Sequence, residues 1–156
     1  MANPITKNGM DKIEEELNQL IKVEREELKT VIAEARELGD LKENAEYHAA
    51  KEKQSIMEGR IAQLQGIVAS SEVVDPSQVE SDKVVFGATV TILNVETDES
   101  TTYQIVGEPE SDINQGKISY NSPLGKALIG KEEGDEVIVK APKGDIEYEV
   151  EEIEYK

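Results

Sequence analysis

The run Glu37-Leu38-Gly39-Asp40-Leu41-Lys42-Glu43-Asn44-Ala45-Glu46 gathers the residues of this chain best suited to chemistry. Carboxylates three residues apart share a helical face, so Asp40, Glu43 and Glu46 can present oxygen atoms together. Oxygen ligands of this kind suit Mg²⁺. Two carboxylates leave an octahedron incomplete, so Asp40 and Glu43 would hold the ion weakly alone and become useful when another molecule supplies further ligands. A structural reading competes. Asp40 as N-cap with Glu43 three residues on resembles a capping box, each satisfying free N–H groups of a following helix. The readings are compatible, because a carboxylate has more than one lone-pair direction.

Other candidates are weaker. His48 has no Ser, Cys or second His partner and reads as a packing or solvent-facing residue. Lys51, Lys53 and Arg60 read as a solvated helix face with i,i+4 pairs, or alternatively as a weak contact with a nucleic-acid end. No Gly-rich phosphate loop, zinc spacing or Ser/His/Asp set stands out. Nothing suggests an independent enzyme.

The composition narrows the setting. The chain has 156 residues, 34 acidic and 17 basic side chains, one His, no Cys and no Trp. Disulfides and thiolate metal sites are thereby excluded, which leaves hard cations as the expected metals. Aromatic residues are 4% and charged residues 33%, so an elongated architecture is favoured over one large core. No apolar run approaches the roughly 18 residues a membrane span needs, and Met1-Ala2-Asn3-Pro4 begins no signal peptide. A cytoplasmic, monomeric protein is expected. A formal charge of −17 opposes binding of free nucleic acid and favours positively charged grooves as partners.

Two textures meet at Asp75-Pro76-Ser77-Gln78. Residues 1–75 are rich in Glu, Leu, Ala, Lys and Gln; residues 76–156 are rich in Val, Ile, Thr and Tyr with interspersed Gly and Pro. The expected class is α+β: a helical N-terminal domain (1–75) and a β-rich C-terminal domain (76–156). In the first, Leu17, Ile21, Glu24, Leu28, Val31, Ala35 and Leu38 form a coiled-coil seam, and Tyr47, Ala50, Gln54, Met57, Ile61, Leu64 and Val68 form a second. Paired antiparallel so that position numbers add to 78, the seams match, and their polar exceptions Glu24 and Gln54 fall opposite one another. An antiparallel coiled-coil hairpin turning at Gly39 follows. A helix from about Asp11 to Leu38 would make it an arm roughly 40 Å long, with Asp40 and Glu43 at its tip.

In the second domain, strands are expected over Val84–Val95, Thr101–Val106, Lys117–Tyr120, Glu136–Lys140 and Ile146–Ile153, with Pro142-Lys143-Gly144-Asp145 as a hairpin turn. Ser122 as N-cap with Pro123 at the first helical position starts a short helix through Leu128, ended by Gly130.

The run Glu34 to Ala50 resembles the fingertip of the bacterial Gre-type transcript-cleavage factors, which act in transcription elongation. Glu58-Gly59-Arg60-Ile61, Val85-Phe86-Gly87-Ala88-Thr89-Val90 and the stretch Asn121 to Glu132 match in the same order, whereas the resemblance says nothing of Glu96–Ser100 and Glu108–Gln115. The resemblance implies a coiled-coil finger that enters the secondary channel of bacterial RNA polymerase, and an FKBP-like C-terminal domain docking at the channel rim. It implies that Asp40 and Glu43 help hold a second Mg²⁺ in the polymerase's own active site, which cuts the backtracked RNA 3′ end. By the same resemblance, Ser122 and Pro123 lie in the rim-docking loop, and Arg36, Tyr47, Lys51 and Lys53 help position the RNA end. Two rivals follow. An FKBP-like fold could carry a proline isomerase, though its aromatics are only Phe86, Tyr103, Tyr120, Tyr148 and Tyr155. A channel-binding inhibitor is opposed by a tip that matches the active pattern without additional acidic residues.

Overall fold

A computed structural model describes residues 3–37 and 44–156. The chain divides into two compact units: Met10–Ser70, and a second made of Met1–Gly9 together with Ser71–Lys156. The first unit is thus an insertion into the second, and the boundaries differ from the single break read at Asp75.

Strand β1 (Asn3–Thr6) leads into α1 (Lys7–Gln19), a π-helical turn (Leu20–Glu24), α2 (Arg25–Glu37) and α3 (Ala45–Ser70). The helices form the expected long hairpin, α2 packing against α3. At 1.5 Å per residue, the 26 residues of α3 span about 40 Å. Its seam is as read: Ala50, Ile61 and Leu64 are buried, and Tyr47, Gln54, Met57 and Val68 are half-buried. The first helix departs from a strict heptad. A π turn accommodates one extra residue, and it falls at Glu24, the polar break in the seam. Beyond it Ala35 is buried, but Val31, expected in the seam, is 47% exposed while its neighbour Ile32 is half-buried. Glu24 shares a groove with Lys53 and Met57 of α3, the helix that carries Gln54. The turn read at Gly39, and Leu38 with it, lie outside the described residues.

Two forked ion pairs cross between the helices. Arg25 donates through Nε and Nη2 to the two carboxylate oxygens of Glu58 (2.8 and 2.7 Å), and Arg60 does the same to Glu16 (3.1 and 2.8 Å). Both are solvent-accessible, so each contributes at most about 1 kcal/mol, but bidentate geometry also opposes sliding of one helix along the other. Gly59 and Gly66 interrupt α3 with open space where a Cβ would stand. A helical glycine costs about 0.5–1 kcal/mol relative to alanine. Gly66→Ala should therefore raise the thermal midpoint of the helical unit by several degrees, read by circular dichroism at 222 nm.

In the second unit, β1 pairs in parallel with β2 (Ser71–Val74), a small sheet the sequence reading missed. A five-stranded sheet follows, made of β3 (Thr89–Asn94), β4 (Glu99–Val106), β5 (Lys117–Ser119), β6 (Glu136–Ala141) and β7 (Gly144–Glu154), with α4 (Pro123–Leu128) beside it. Its order is β5-β4-β3-β7-β6; all neighbours are antiparallel except β4 and β5. The sheet and α4 enclose Val84, Ala88, Val90, Ile92, Ile105, Ile118, Leu128, Val137 and Val150. The expected strand Val84–Val95 begins only at Thr89. Gly87 adopts φ +91° in a turn closed by the Ala88 N–H donating to the Val85 carbonyl, and no ladder passes through that geometry. The expected hairpin turn closes at Ala141 opposite Gly144.

Glu96–Ser100 and Glu108–Gln115, on which the fingertip resemblance is silent, have structural work. Asn94 Oδ1 accepts from the backbone N–H of Glu96 and Thr97, shaping the β3–β4 turn. Glu110 holds the first strand: its carboxylate accepts from the Thr6 N–H (2.9 Å), the Thr6 hydroxyl and the Gly107 N–H (2.9 Å). Thr6 Oγ1 in turn accepts from the Gly9 N–H (3.1 Å). Glu110→Ala would strand donors around Thr6, which is 3% exposed, and should cost about 2 kcal/mol in urea unfolding of the full chain. Glu110→Gln, retaining one acceptor oxygen, should lose less.

Candidate functional site at the helix ends

Where α2 ends and α3 begins, four carbonyls and four N–H groups lack intrahelical partners. Asn44 serves both sets. Its Oδ1 accepts from the Tyr47 N–H (3.0 Å), the geometry of an N-cap, and its backbone carbonyl takes the first helical bond from the His48 N–H (3.1 Å). Its Nδ2 donates to the carbonyl of Ala35 in the last turn of α2 (2.5 Å). This corrects the capping-box reading: the cap of α3 is Asn44, not Asp40 with Glu43. The signal was present, since Asn is among the strongest N-cap residues, but it was masked by the Asp-x-x-Glu pattern just before it.

Asp40 and Glu43 lie outside the described residues. With Asn44 supplying the cap, neither carboxylate is needed for it. Among the described residues no group of three or more acidic or His side chains could hold a metal ion. The donor chemistry of Asp40 and Glu43 fits Mg²⁺ only as part of a shared coordination shell.

Arg36 and Tyr47, both read as contacts for an RNA end, come together. The Arg36 guanidinium carbon lies 5.9 Å from the centroid of the Tyr47 ring, and Tyr47 meets the His48 ring edge-on at 5.6 Å. The stack steadies both Tyr47 and an otherwise pliable cation beside the Asn44 link. Lys51 is directed along its own helix, donating to Gln54 Oε1 (3.0 Å), and Lys53 lines the groove with Glu24 and Glu27.

Ser122 and Pro123 belong to the other unit. Ser122 is the N-cap of α4 as read: its Oγ accepts from the Gly125 N–H (3.0 Å) and donates to the Ser119 carbonyl (2.6 Å), while Pro123 is exposed. Gly130, at φ +89°, follows the end of α4. The five aromatic residues of this unit pack against its core, Phe86 and Tyr120 edge-to-face at 5.8 Å. The Tyr155 hydroxyl is occupied by the Val85 N–H and the Lys83 carbonyl. Aromatic rings used in this way do not favour the isomerase alternative.

Two family models cover nearly the whole chain: "Transcription elongation factor, N-terminal" over residues 3–73 and "Transcription elongation factor, GreA/GreB, C-term" over residues 78–155. The chain belongs to the GreA/GreB family of transcription elongation factors. Within that family it is similar to GreA of Alkalilimnicola ehrlichii and GreA of Pseudomonas aeruginosa, each 54% identical over 153 residues and 97% of both chains. GreA of Francisella tularensis subsp. novicida is 51% identical over the full length of both. A crystal structure of GreA factor homolog 1 of Thermus thermophilus is 26% identical, with a TM-score of 0.45 over 98% of this chain and 99% of that one. The resemblance drawn from the fingertip run is thus borne out over the whole chain. GreA/GreB factors are accessory factors in elongation and not themselves hydrolases. No helix among the described residues is long and apolar enough to cross a membrane.

Proposed function

We propose that this GreA-type factor acts on bacterial RNA polymerase whose RNA has backtracked. Its helical arm enters the secondary channel, its C-terminal unit, read as FKBP-like, docks at the rim, and the polymerase is stimulated to cut the extruded RNA 3′ end. The observation that carries this reading is the family match: the two elongation-factor models cover residues 3–73 and 78–155, and the run that resembles the family's fingertip holds Asp40 and Glu43 just before the Asn44 cap.

The task of Asp40 and Glu43 is to complete a Mg²⁺ shell shared with the polymerase. Mg²⁺ bound there would stabilise the attacking and leaving oxygens of phosphodiester hydrolysis and acidify a bound water. Asp40 and Glu43 would each supply one carboxylate. Arg36 and Tyr47, held as a stacked pair, suit a phosphate and a base near the RNA end, with Lys51 and Lys53 further along α3. Exposed Pro123, presented by the Ser122 cap, would meet the polymerase surface. Net charge −17 favours approach to a basic rim over free nucleic acid. The factor is read as a cytoplasmic monomer.

The test adds the purified protein to stalled, backtracked elongation complexes with Mg²⁺. The expected result is release of short RNA 3′ fragments and renewed elongation, short products being favoured by the modest basic content of the arm. Unchanged transcripts at saturating factor would overturn the proposal.

A further inference from the structure

We infer that Asn44 is a positioning residue of the fingertip, a role that rests on the proposed function. A cap satisfies one helix; Asn44 joins two. Its carboxamide oxygen is committed to the first turn of α3 through the Tyr47 N–H, and its nitrogen to the last turn of α2 through the Ala35 carbonyl. The Asn44–Ala35 bond therefore ties the start of α3 to the last turn of α2 and fixes the spacing of those two helix ends, between which Asp40 and Glu43 fall in sequence.

Side-chain chemistry makes the assignment specific. Ser, Asp and Asn are comparable N-caps because each offers an acceptor oxygen. Only Asn also carries an amide donor at that reach; Asp would place a carboxylate against the Ala35 carbonyl, and Ser has too short a side chain to serve both helices. A capping role alone would tolerate all three. The Arg36–Tyr47 stack brackets the same link, since Arg36 follows the acceptor Ala35 and Tyr47 is the residue whose N–H is capped. Small displacements of a group that must meet a metal-bound substrate cost rate steeply, of order 100-fold for about 1 Å.

The experiment compares wild type, Asn44→Ser, Asn44→Asp and Asp40→Ala in full-length protein. Cleavage in backtracked complexes is titrated with each factor, to separate the maximal rate from the half-saturating concentration. Expected for Asn44→Ser and Asn44→Asp are unchanged helix content, a half-saturating concentration within about twofold of wild type, and a maximal rate lowered about 10- to 100-fold. In ¹⁵N-labelled wild type, one Asn44 side-chain amide proton should be shifted and slow to exchange. A wild-type maximal rate for Asn44→Ser beside an inactive Asp40→Ala would overturn the positioning role and leave the proposed function standing, as would a freely exchanging Asn44 amide pair. Full activity in Asp40→Ala would instead sink the proposed function, and this inference with it.

Discussion

Asp40→Ala and Glu43→Ala are each expected to abolish stimulated RNA cleavage, with losses of about 100-fold or more, while thermal stability and polymerase binding stay close to wild type. The magnitude follows from the task. A charged oxygen placed at a transition state in a water-excluded site is worth far more than on an exposed helix, and deleting one such preorganised group commonly costs a factor of 100–1,000. The stability half follows from Asn44, whose Oδ1 holds the Tyr47 N–H, so removing Asp40 or Glu43 leaves the N-terminus of α3 capped. Were Asp40 the cap, its loss would cost about 1 kcal/mol and cleavage would survive. Cleavage of backtracked complexes and calorimetry of the free factor separate the two. A destabilised but fully active variant would refute the assignment.

Leu128→Ala is expected to give the largest stability loss, about 3 kcal/mol, with a fall of about 10 °C or more in the unfolding midpoint of the C-terminal unit. Leu128 is 0% exposed in the core beneath the sheet, and α4 is a six-residue helix that cannot persist in water on its own. Its docking through Leu128 keeps the Ser122 cap formed and Pro123 presented. The variant should therefore also weaken polymerase binding, while the far-ultraviolet signal of the arm is retained. Tyr fluorescence reports the C-terminal unit, since all the tyrosines but Tyr47 lie there. A loss below about 1 kcal/mol would mean that α4 is not seated on the core.

The arm was legible because its signal is redundant. Seven seam positions in α3, repeated at threes and fours, survive any single exception, and all seven are buried or half-buried. The first seam was read less well because a π turn shifts phase without leaving a Gly or Pro as a mark, so Val31 was placed inside and Ile32 was not. Strand positions were found where Val, Ile and Thr alternate, but Gly87 ended the run early through a backbone angle that residue identity alone does not dictate. The strand Asn3–Thr6 was invisible for a different reason: four residues carry little pattern, and their partner Ser71–Val74 and anchor Glu110 are remote in sequence. At the tip, residue types announced metal chemistry and a cap together. Deciding that the cap belongs to Asn44 required coordinates, because Asp, Asn and Ser compete for that role on nearly equal terms.

The pairing of Asn3–Thr6 with Ser71–Val74 has a bearing on how the chain is made. The first strand leaves the ribosome without its mate, which emerges only after the entire helical insertion has been translated, and Glu110 comes later still. At 5–20 residues per second, that leaves the N-terminal residues waiting for seconds. The helical hairpin, built from near-neighbour contacts, can form during this interval. Nascent chains halted before Glu110 should accordingly carry a protease-resistant hairpin on a still-cleavable leader.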